Sequence, residues 1–240
     1  SFVSRGLGDV YKRQLKKIGN EILKVIGGRE IHPINIRVGG FYSLPSNEAV
    51  ENICEELKVA CDLAEKMVHW STSLEFPDFE RNFEYVSLFS EHEYPMNEGQ
   101  IVSTSGLRID VENFEEHFEE FQVPHSTALH AKQNNDGEYL VGPMARYRHN
   151  FETLAPRAKS LAHELKVTPL CNNPFKSIVI RALEVLHACE EALRILTTWK
   201  APDSSYIEIN PVASTGFGCT EAPRGLLYHR YRIDHDGEIT

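Results

Sequence analysis

The chain of 240 residues carries a formal net charge of −10 and is 41% hydrophobic and 25% charged, which is typical of a globular protein with one large or two small domains. Acidic residues outnumber basic ones, and the basic residues form no stripe along the sequence. The composition therefore argues against a nucleic-acid-binding protein. No apolar run approaches the roughly 18 residues that a membrane span requires.

The cysteines indicate the compartment. The chain has five cysteines, an odd number for its size. This number indicates reduced thiols and not a disulfide framework. The N-terminus also lacks the continuous apolar segment of a signal peptide. Both observations predict a cytoplasmic protein.

Residues 1–14, "SFVSRGLGDVYKRQ", differ from the rest because they follow neither a helical nor a strand period. The string resembles a translated sequencing-adapter remnant, of the kind found at the ends of reading frames assembled from environmental DNA. We therefore predict that residues 1–14 are a non-native or disordered segment and that residues 15–240 form part of one domain. A short native disordered arm is the alternative.

The first periodic element is a short helix, predicted from Leu15 to Ile26. Ile31–Val38 then alternates apolar and polar residues as a strand does. Pro33 should hold His32 extended and confine this strand to an edge. Gly39–Gly40 permits a turn with positive φ.

Two long helices follow, and we expect them to pack as neighbours in one bundle. Ser46 can cap the first, which runs to about Ser71 with the apolar face Val50, Ile53, Cys54, Leu57, Cys61, Ala64 and Val68. The second runs from about Pro174 to Trp199 with the apolar face Phe175, Ile178, Ala182, Val185, Cys189, Leu193 and Leu196. Cys54, Cys61 and Cys189 should therefore point inward, as buried thiols.

Short strands separate these helices. They are predicted at Tyr85–Phe89, Gln100–Ser103, Leu107–Ile109 and Glu138–Val141. Asp110 can cap an acidic helix whose stripe is Val111, Phe114, Phe118 and Phe121. Pro143 and Pro156 occupy positions typical of the first turn of a helix.

The C-terminal stretch "LLYHRYRID" leads through Asp236–Gly237 into "EIT", which predicts a hairpin. Helices and short strands do not alternate regularly enough for a doubly wound sheet. The fold class expected is therefore α+β and mainly α: a helical bundle core with short peripheral strands and a hairpin.

Metal-binding and nucleophile motifs are weak in this sequence. No two cysteines form a CxxC pair, and Cys171 and Cys219 show no metal-ligand spacing. His125 and His130 in "PHSTALH" are five apart, but most histidines so placed are simply hydrogen-bonded. There is no GxSxG, Walker A or GxGxxG motif.

The stretch "TEAPRGLLYHRY", Thr220–Tyr231, is more informative. Glu221 and Arg224 flank a proline of fixed φ, and Gly225 lets the backbone turn into a strand. A stiff turn of this kind holds both charged residues in a fixed orientation, and ordering it costs little conformational entropy. On the residues alone, a structural Arg–Glu ion pair is favoured over a functional site.

The same stretch, taken together with other strings, resembles the large, catalytic subunit of nickel–iron hydrogenases. The similarity covers Leu15 to Thr240 and is greatest to the cytosolic NAD(P)-linked and sulfhydrogenase-type members. The strings occur in the order of the family: "GREIHPINIRVGGF", "NEGQIVSTSGLRID", "PHSTALH", "YLVGPMARYRHN", "NPFKSIVIRALEVLHACE" and "TEAPRGLLYHRY".

The resemblance implies a hydrogenase chemistry. In this family four cysteines, from one CxxC near each end, hold nickel and iron, and the iron carries cyanide and carbon monoxide. The metals split dihydrogen heterolytically. Electrons leave through an iron–sulfur small subunit, in NAD(P)-linked members towards flavin-containing diaphorase subunits.

Both CxxC motifs are missing from this chain, so the resemblance implies an internal fragment that is inactive alone and whose metal ligands lie outside it. His32, Glu221, Arg224 and His229 match family motifs and are expected near the metal site without binding metal, where they would orient ligands or pass protons. For His32, a plain hydrogen bond to backbone is an equal alternative. Scaffold positions of the same motifs are Arg29, Gly39, Gly40 and Gly225.

If these motifs serve one site, His32 and the Glu221–Arg224 turn should lie on the same side of the bundle and border a shared cavity. The alternative family is the quinone-pocket subunit of respiratory complex I, which has the same fold without nickel. It should carry an acidic residue soon after its EAPxG-like turn, where this chain has Leu226 and Leu227.

Overall fold

The computed structural model describes residues 2–134 and 137–240, with residues 2–10 as backbone only. It is 42% helical and 19% strand, so the α+β, mainly helical class is confirmed. The helices are α1 Phe2–Gly27, α2 Asn47–Thr72, α3 Phe114–His117, α4 Pro143–Asn150, α5 Pro156–Glu164 and α6 Ser177–Thr198. The strands are β1 Ile36–Arg37, β2 Gly40–Phe41, β3 Val86–Phe89, β4 Gln100–Ser103, β5 Arg108–Ile109, β6 Phe118–Phe121, β7 His130–Gln133, β8 Ser214–Ala222 and β9 Gly225–Ile233.

The chain forms two compact units. The first contains the residues up to Glu75, Ala155–Lys166 and Arg181–Asn210. The second contains Phe76–Leu154, Val167–Ile180 and Pro211–Thr240.

The core of the first unit lies between α1, α2 and the C-terminal part of α6. Ile53, Leu57 and Ala60 of α2 form its centre, and it is completed by Leu15, Ile18, Ile22, Val25, Cys189, Ala192, Leu193 and Leu196. The two long helices are therefore neighbours, as predicted. Cys61 is buried and Cys189 packs against this core, while Cys54 is half-buried.

The first two helices begin in different ways. Ser46 caps α2 as predicted, because its Oγ accepts the Ala49 amide at 3.2 Å. Helix α1 begins at Phe2 and not at Leu15, so the predicted start was wrong. Once packing anchors Leu15 and Ile18, a helix propagates upstream at little cost even without an apolar period. The non-native origin of residues 1–14 stays a prediction.

Helix α6 supplies the N-terminal cap of α5. The cap position Ala155 has no side-chain acceptor, and its amide donates to His187 Nδ1 at 3.0 Å. The Glu190 carboxylate accepts the next free amides, those of Arg157 and Ala158, at 3.1 and 3.0 Å. A neighbouring helix thus satisfies donors that a helix start leaves open.

The second unit is built on the antiparallel sheet β3-β4-β5. Val86, Leu88 and Ile101 are fully buried in it. The same core contains Ile109, Phe114, Phe118 and Cys219, with Leu226 and Tyr228 packed against it. Because Cys219 comes from β8, and Leu226 and Tyr228 from β9, the C-terminal hairpin is part of this core.

Three element predictions in the second unit were wrong. The acidic helix after Asp110 ends at His117, and Phe118–Phe121 is a strand paired with β7. Asp110 gives no side-chain cap, because its carboxylate accepts from Gln100 Nε2 at 2.8 Å. Glu138–Val141 contributes only the parallel bridge between Tyr85 and Leu140.

The buried face of α6 also differs from the prediction. Phe175 and Ile178 are exposed, whereas Val179, Ile180, Leu183 and Leu186 are buried. A 3₁₀ turn at Pro174–Lys176 precedes α6, and it rotates the start of the helix relative to a continuous 3.6-residue period.

The predicted C-terminal hairpin is present as an antiparallel bridge between Ile233 and Ile239. The main partner of β9 is nevertheless β8, with Ser214 opposite Ile233 and Ala222 opposite Gly225. This pairing determines where the EAPRG residues lie.

Candidate functional site

The EAPRG stretch forms the tip of the β8–β9 hairpin. Ala222 pairs with Gly225, so Pro223 and Arg224 make a two-residue loop. Gly225 has φ 137° and is buried against Val141 and Gly142. A Cβ at Gly225 would lie 2.6 Å from Val141 Cβ and 2.9 Å from Gly142 N, so only glycine fits there.

Glu221 does not pair with Arg224, so the interpretation of a local Glu–Arg ion pair was wrong. Its side chain is fully buried. One carboxylate oxygen accepts the Leu88 amide at 2.8 Å, and the other accepts from Arg146 Nη1 at 3.0 Å. Glu221 thereby satisfies a backbone donor of β3 and holds a buried cation at the same time.

Arg146, which the sequence left without a role, is the centre of this arrangement. It is buried in α4, and besides Glu221 it donates to the carbonyls of Ala222 at 2.8 Å and Pro223 at 3.4 Å. Asn150, one turn later, donates to the Leu88 carbonyl at 2.8 Å. We call Arg146, Glu221 and Asn150 the Arg146 clamp, because together they fix the hairpin tip against β3 and α4.

The clamp could have been suspected from the sequence. Arg146 and Asn150 are four residues apart in "GPMARYRHN", on one face of a short helix that begins at Pro143. The pattern does not reveal which arginine of that string points inward or which acid it meets, since Glu221 is distant in sequence.

The other predicted residues of the hairpin lie at its surface. Arg224 is exposed at the tip. His229 is exposed on β9, opposite Gly218, and stacks on Tyr231 with ring centroids 5.8 Å apart. The clamp thus buries Glu221 while the stiff loop presents a cationic side chain to solvent.

The His32 region belongs to the first unit. His32 is exposed and has φ 53°, so the expected extended conformation was wrong. The Arg29 guanidinium causes this turn by donating to the carbonyls of Ile31 at 2.6 Å and His32 at 2.9 Å. The predicted strand over Ile31–Val38 shrinks to Ile36–Arg37 for the same reason.

Gly39 and Gly40 form the predicted turn, with φ 89° and 146°. The structure adds a second reason for glycine, because the segment 205–207 passes directly over them. A Cβ at Gly40 would lie 2.5 Å from the Ser205 carbonyl oxygen, and one at Gly39 would overlap that of Ile207. The Ile207 amide donates to the Gly39 carbonyl at 3.0 Å.

His32 lies in the first unit and the Glu221–Arg224 turn in the second. Their expected proximity and shared cavity therefore stay a prediction.

The remaining thiols and histidines are not arranged as metal ligands. His125 and His130 are exposed, with ring centroids 5.9 Å apart. Burial raises the pKa of the Cys189 and Cys219 thiols to about 12, so both stay protonated at neutral pH. Within residues 2–134 and 137–240, no three side chains of histidine, cysteine, aspartate or glutamate could together hold a metal ion.

His149, beside the clamp on α4, is a buried titratable group. Its Nδ1 lies 2.8 Å from Ser87 Oγ, whose proton is given to the Leu88 carbonyl at 2.9 Å. Hydrogen bonding therefore assigns the proton to Nδ1 of the ring. Nε2 is buried without a partner among the described residues, so protonating it would create an unpaired buried charge.

This geometry predicts a pH dependence of stability. Burial, helped by Arg148 and opposed by Glu84, lowers the pKa of His149 to about 4. Because the unfolded chain takes up a proton near pH 6.5 and the folded chain does not, the stabilisation is complete above pH 6.5 and is lost towards pH 4. The free energy of unfolding should fall by up to about 3 kcal/mol across this window.

The check is urea unfolding between pH 4 and 7 for the wild type and His149→Asn. The asparagine can keep the hydrogen bond to Ser87 and does not titrate. The carboxylates titrate alike in both proteins, so their contribution drops out of the difference between the two stability curves. Parallel stability curves for both proteins would contradict the assignment.

Comparison with known proteins gives relatives along nearly the whole chain. The sulfhydrogenase 1 alpha subunit of Pyrococcus furiosus is 28% identical over 239 residues, covering 94% of this chain and 55% of its own length. The sulfhydrogenase 2 alpha subunit of the same organism is 29% identical, covering 95% of this chain and 54% of its own. An F420-non-reducing hydrogenase of Methanocaldococcus jannaschii is 24% identical over 244 residues. No family model matches the chain.

Solved structures agree on the fold. An NAD+-reducing [NiFe]-hydrogenase in its H2-reduced state matches with a TM-score of 0.77 at 20% identity, covering 93% of this chain and 54% of that one. The Ni-Fe-Se hydrogenase of D. vulgaris Hildenborough matches with a TM-score of 0.72 at 18% identity, covering 97% and 57%. The fold is thus that of about half of a nickel–iron hydrogenase large subunit.

The chain itself is a homologue of hydrogenase alpha subunits, and the resemblance read from its motifs is confirmed. It spans about half the length of the curated relatives that it matches. The described side chains do not fit a nickel–iron centre, because they offer no set of thiolates and no other metal-ligand group. The described part of the chain also has no helix of the length and apolarity needed to cross a bilayer.

Proposed function

We propose that this chain is part of the catalytic subunit of a nickel–iron hydrogenase, an oxidoreductase that interconverts dihydrogen with protons and electrons. The observation that carries the proposal is its homology over 94–95% of its length to the two sulfhydrogenase alpha subunits. The metal-ligating cysteines would come from polypeptide outside these 240 residues.

Partners and electron acceptor follow from the same relatives. We propose that an iron–sulfur small subunit receives the electrons from this subunit. We also propose that sulfur or NAD(P) is the final electron acceptor. The names of the sulfhydrogenases and of the NAD+-reducing hydrogenase support these two acceptors, and the latter supports diaphorase subunits as further partners. A cytoplasmic location rests on the cysteine usage.

The role of this chain's own residues is to hold a cationic turn in place. The Arg146 clamp ties the tip to β3 and α4, and Pro223 stiffens it, so the backbone that carries Arg224 is held in place. We propose that Arg224 and His32 approach the metal centre of the complete enzyme, where they stabilise charge or pass protons.

The test of the family proposal is recovery of the coding sequence on both sides of this chain. One CxxC on each side, about one nickel per complete subunit and hydrogen-dependent reduction of a redox dye are expected. The 240-residue chain alone should bind no stoichiometric nickel, since it lacks thiolate ligands. Flanks without CxxC would overturn the proposal and favour the quinone-pocket alternative, and one tightly bound nickel per isolated chain would contradict the ligand assignment.

Arg224→Met in the complete enzyme should lower the turnover number about 10- to 100-fold, the range typical of groups that surround a metal site. Because Arg224 is exposed, the free energy of unfolding should change little. Arg232→Met is the matched control: it removes an exposed arginine from the same hairpin, further from the tip, and should leave turnover unchanged. If both variants were as active as the wild type, the proposal that Arg224 acts at the metal centre would be wrong.

A further inference from the structure

Two phenylalanines of the second unit are in contact at the surface. The ring centroids of Phe79 and Phe175 lie 6.3 Å apart and the ring planes meet at 84°, which is an edge-to-face pair. Their exposed fractions are 46% and 51%, and that of Ile178 is 46%. Because Ile178 follows Phe175 by three residues across the start of α6, the two share a side of the helical chain. We call Phe79, Phe175 and Ile178 the aromatic patch.

A buried asparagine holds the two segments of the patch together. Asn173 is only 5% exposed; its Nδ2 donates to the Pro77 carbonyl at 2.8 Å, and its Oδ1 accepts the Phe175 amide at 3.0 Å. The Arg81 amide donates to the Asn172 carbonyl at 3.2 Å, which joins the same two segments a second time. The backbone beneath the rings is therefore fixed, and a surface that is already ordered loses little entropy when a partner covers it.

Charged side chains border the patch, with opposite signs on its two segments. Asp78 and Glu80 flank Phe79 in the chain, and Lys176 follows Phe175; all three are exposed. Within residues 2–134 and 137–240, none of these three side chains forms an ion pair. The negative charge thus belongs to the segment of one phenylalanine and the positive charge to the segment of the other.

This arrangement is complementary to itself. In a contact with two-fold symmetry, residue i of one copy meets residue j of the other, and j meets i. When Phe79 of one copy packs on Phe175 of a second copy, Asp78 and Glu80 approach Lys176 at both ends of the contact. The rings are then covered and the charges are paired. Aromatic residues are also enriched at interfaces between separate chains.

We propose that the aromatic patch is the surface through which two copies of this protein associate. The proposal concerns assembly and does not depend on the reaction that the protein catalyses. Each half-exposed ring offers on the order of 100 Å². The two patches together then cover on the order of 500 Å² of apolar surface, less than the roughly 1,200 Å² of stable complexes. The dimer is therefore weak, with a Kd on the order of 10–100 μM.

The first experiment is sedimentation equilibrium of the complete protein that contains this chain. Phe79→Ser combined with Phe175→Ser should raise the Kd of the dimer at least about 10-fold, because it removes the apolar centre of the contact. Met96→Ser combined with Leu129→Ser, at exposed apolar positions of the same unit, is the control and should leave the Kd unchanged. A wild type that stays a single copy well above the expected Kd would overturn the proposal, as it would if another subunit occupied the patch. So would association that survives the phenylalanine substitutions.

Charge reversal tests the two-fold arrangement. Lys176→Glu alone, and Asp78→Lys combined with Glu80→Lys, should each weaken association about 10-fold, because like charges then meet at both ends of the contact. An equimolar mixture of these two variants should associate about as tightly as the wild type, since opposite charges face each other at both ends again. The altered residues are exposed, so thermal unfolding should show both variants to be as stable as the wild type. Two folded variants that do not recover association on mixing would overturn the proposed contact.

Discussion

Arg146→Met is expected to reduce the free energy of unfolding by about 3–5 kcal/mol, because it leaves the fully buried Glu221 carboxylate without its cation. The carbonyls of Ala222 and Pro223 also lose a donor. Unpaired buried charge is far more costly than the ion pair is stabilising, so the loss should exceed that of an ordinary surface substitution. Urea unfolding at pH 7 measures it.

Two comparisons make this expectation specific. In the double variant Arg146→Met, Glu221→Met no unpaired charge remains, so it should lose clearly less stability than the sum of the two single variants. Arg194→Met breaks the Arg194–Glu191 pair, in which the arginine side chain is 66% exposed, and should cost less than about 1 kcal/mol. Additive losses would show that the buried pair is not the energetic unit that the geometry indicates.

Much of the helical fold could be predicted because it rests on local patterns. The apolar face of α2 repeats at three- and four-residue steps, and Val50, Ile53, Leu57 and Val68 are buried as that period requires. Ser46 caps this helix by an interaction confined to its first turn. Prolines at 143 and 156 stand at helix starts because their missing amide costs nothing there.

Predictions failed where tertiary contacts decided between two local solutions. The stripe Phe114–Phe118 suits a helix, and both rings do stack, 4.7 Å apart. The chain nevertheless turns into a strand at Phe118, because β7 provides a full antiparallel partner for residues 118–121. The propensity of residues 118–121 could not reveal that a strand 9 to 15 residues further along the chain pairs with them.

The candidate site shows the same division. Gly39, Gly40 and Gly225 could be assigned to turns, because positive φ restricts the residue type. Glu221 could be singled out, but its partner could not, since the bond to Arg146 depends on how α4 and the hairpin pack in the second unit. His32 was placed in the wrong backbone conformation, because the Arg29 hydrogen bonds outweigh the preference of a residue before proline.

Gly225→Ala is expected to destabilise the chain by about 2–4 kcal/mol, from backbone strain and overpacking combined. The φ of 137° is one that L side chains rarely adopt, and the added methyl would meet Val141 and the Gly142 amide nitrogen. Relief would require the hairpin tip to move away from α4. Such a shift would lengthen the hydrogen bonds from Arg146 to Ala222 and Pro223, so the loss of stability should be accompanied by a displaced Arg224.

Thermal or urea unfolding of three variants separates these causes. Gly216→Ala, on β8 of the same hairpin with nothing within 4 Å of the new Cβ, should change the free energy of unfolding by less than about 0.5 kcal/mol. Val141→Ala combined with Gly225→Ala should lose less than the sum of the single losses, because the closest methyl group is gone. Recovery should remain partial, since the Cβ at position 141 and the Gly142 nitrogen still crowd the site. A Gly225→Ala variant as stable as Gly216→Ala would show that the tip is free to move, and would then also remove the reason for placing Arg224 on a fixed turn.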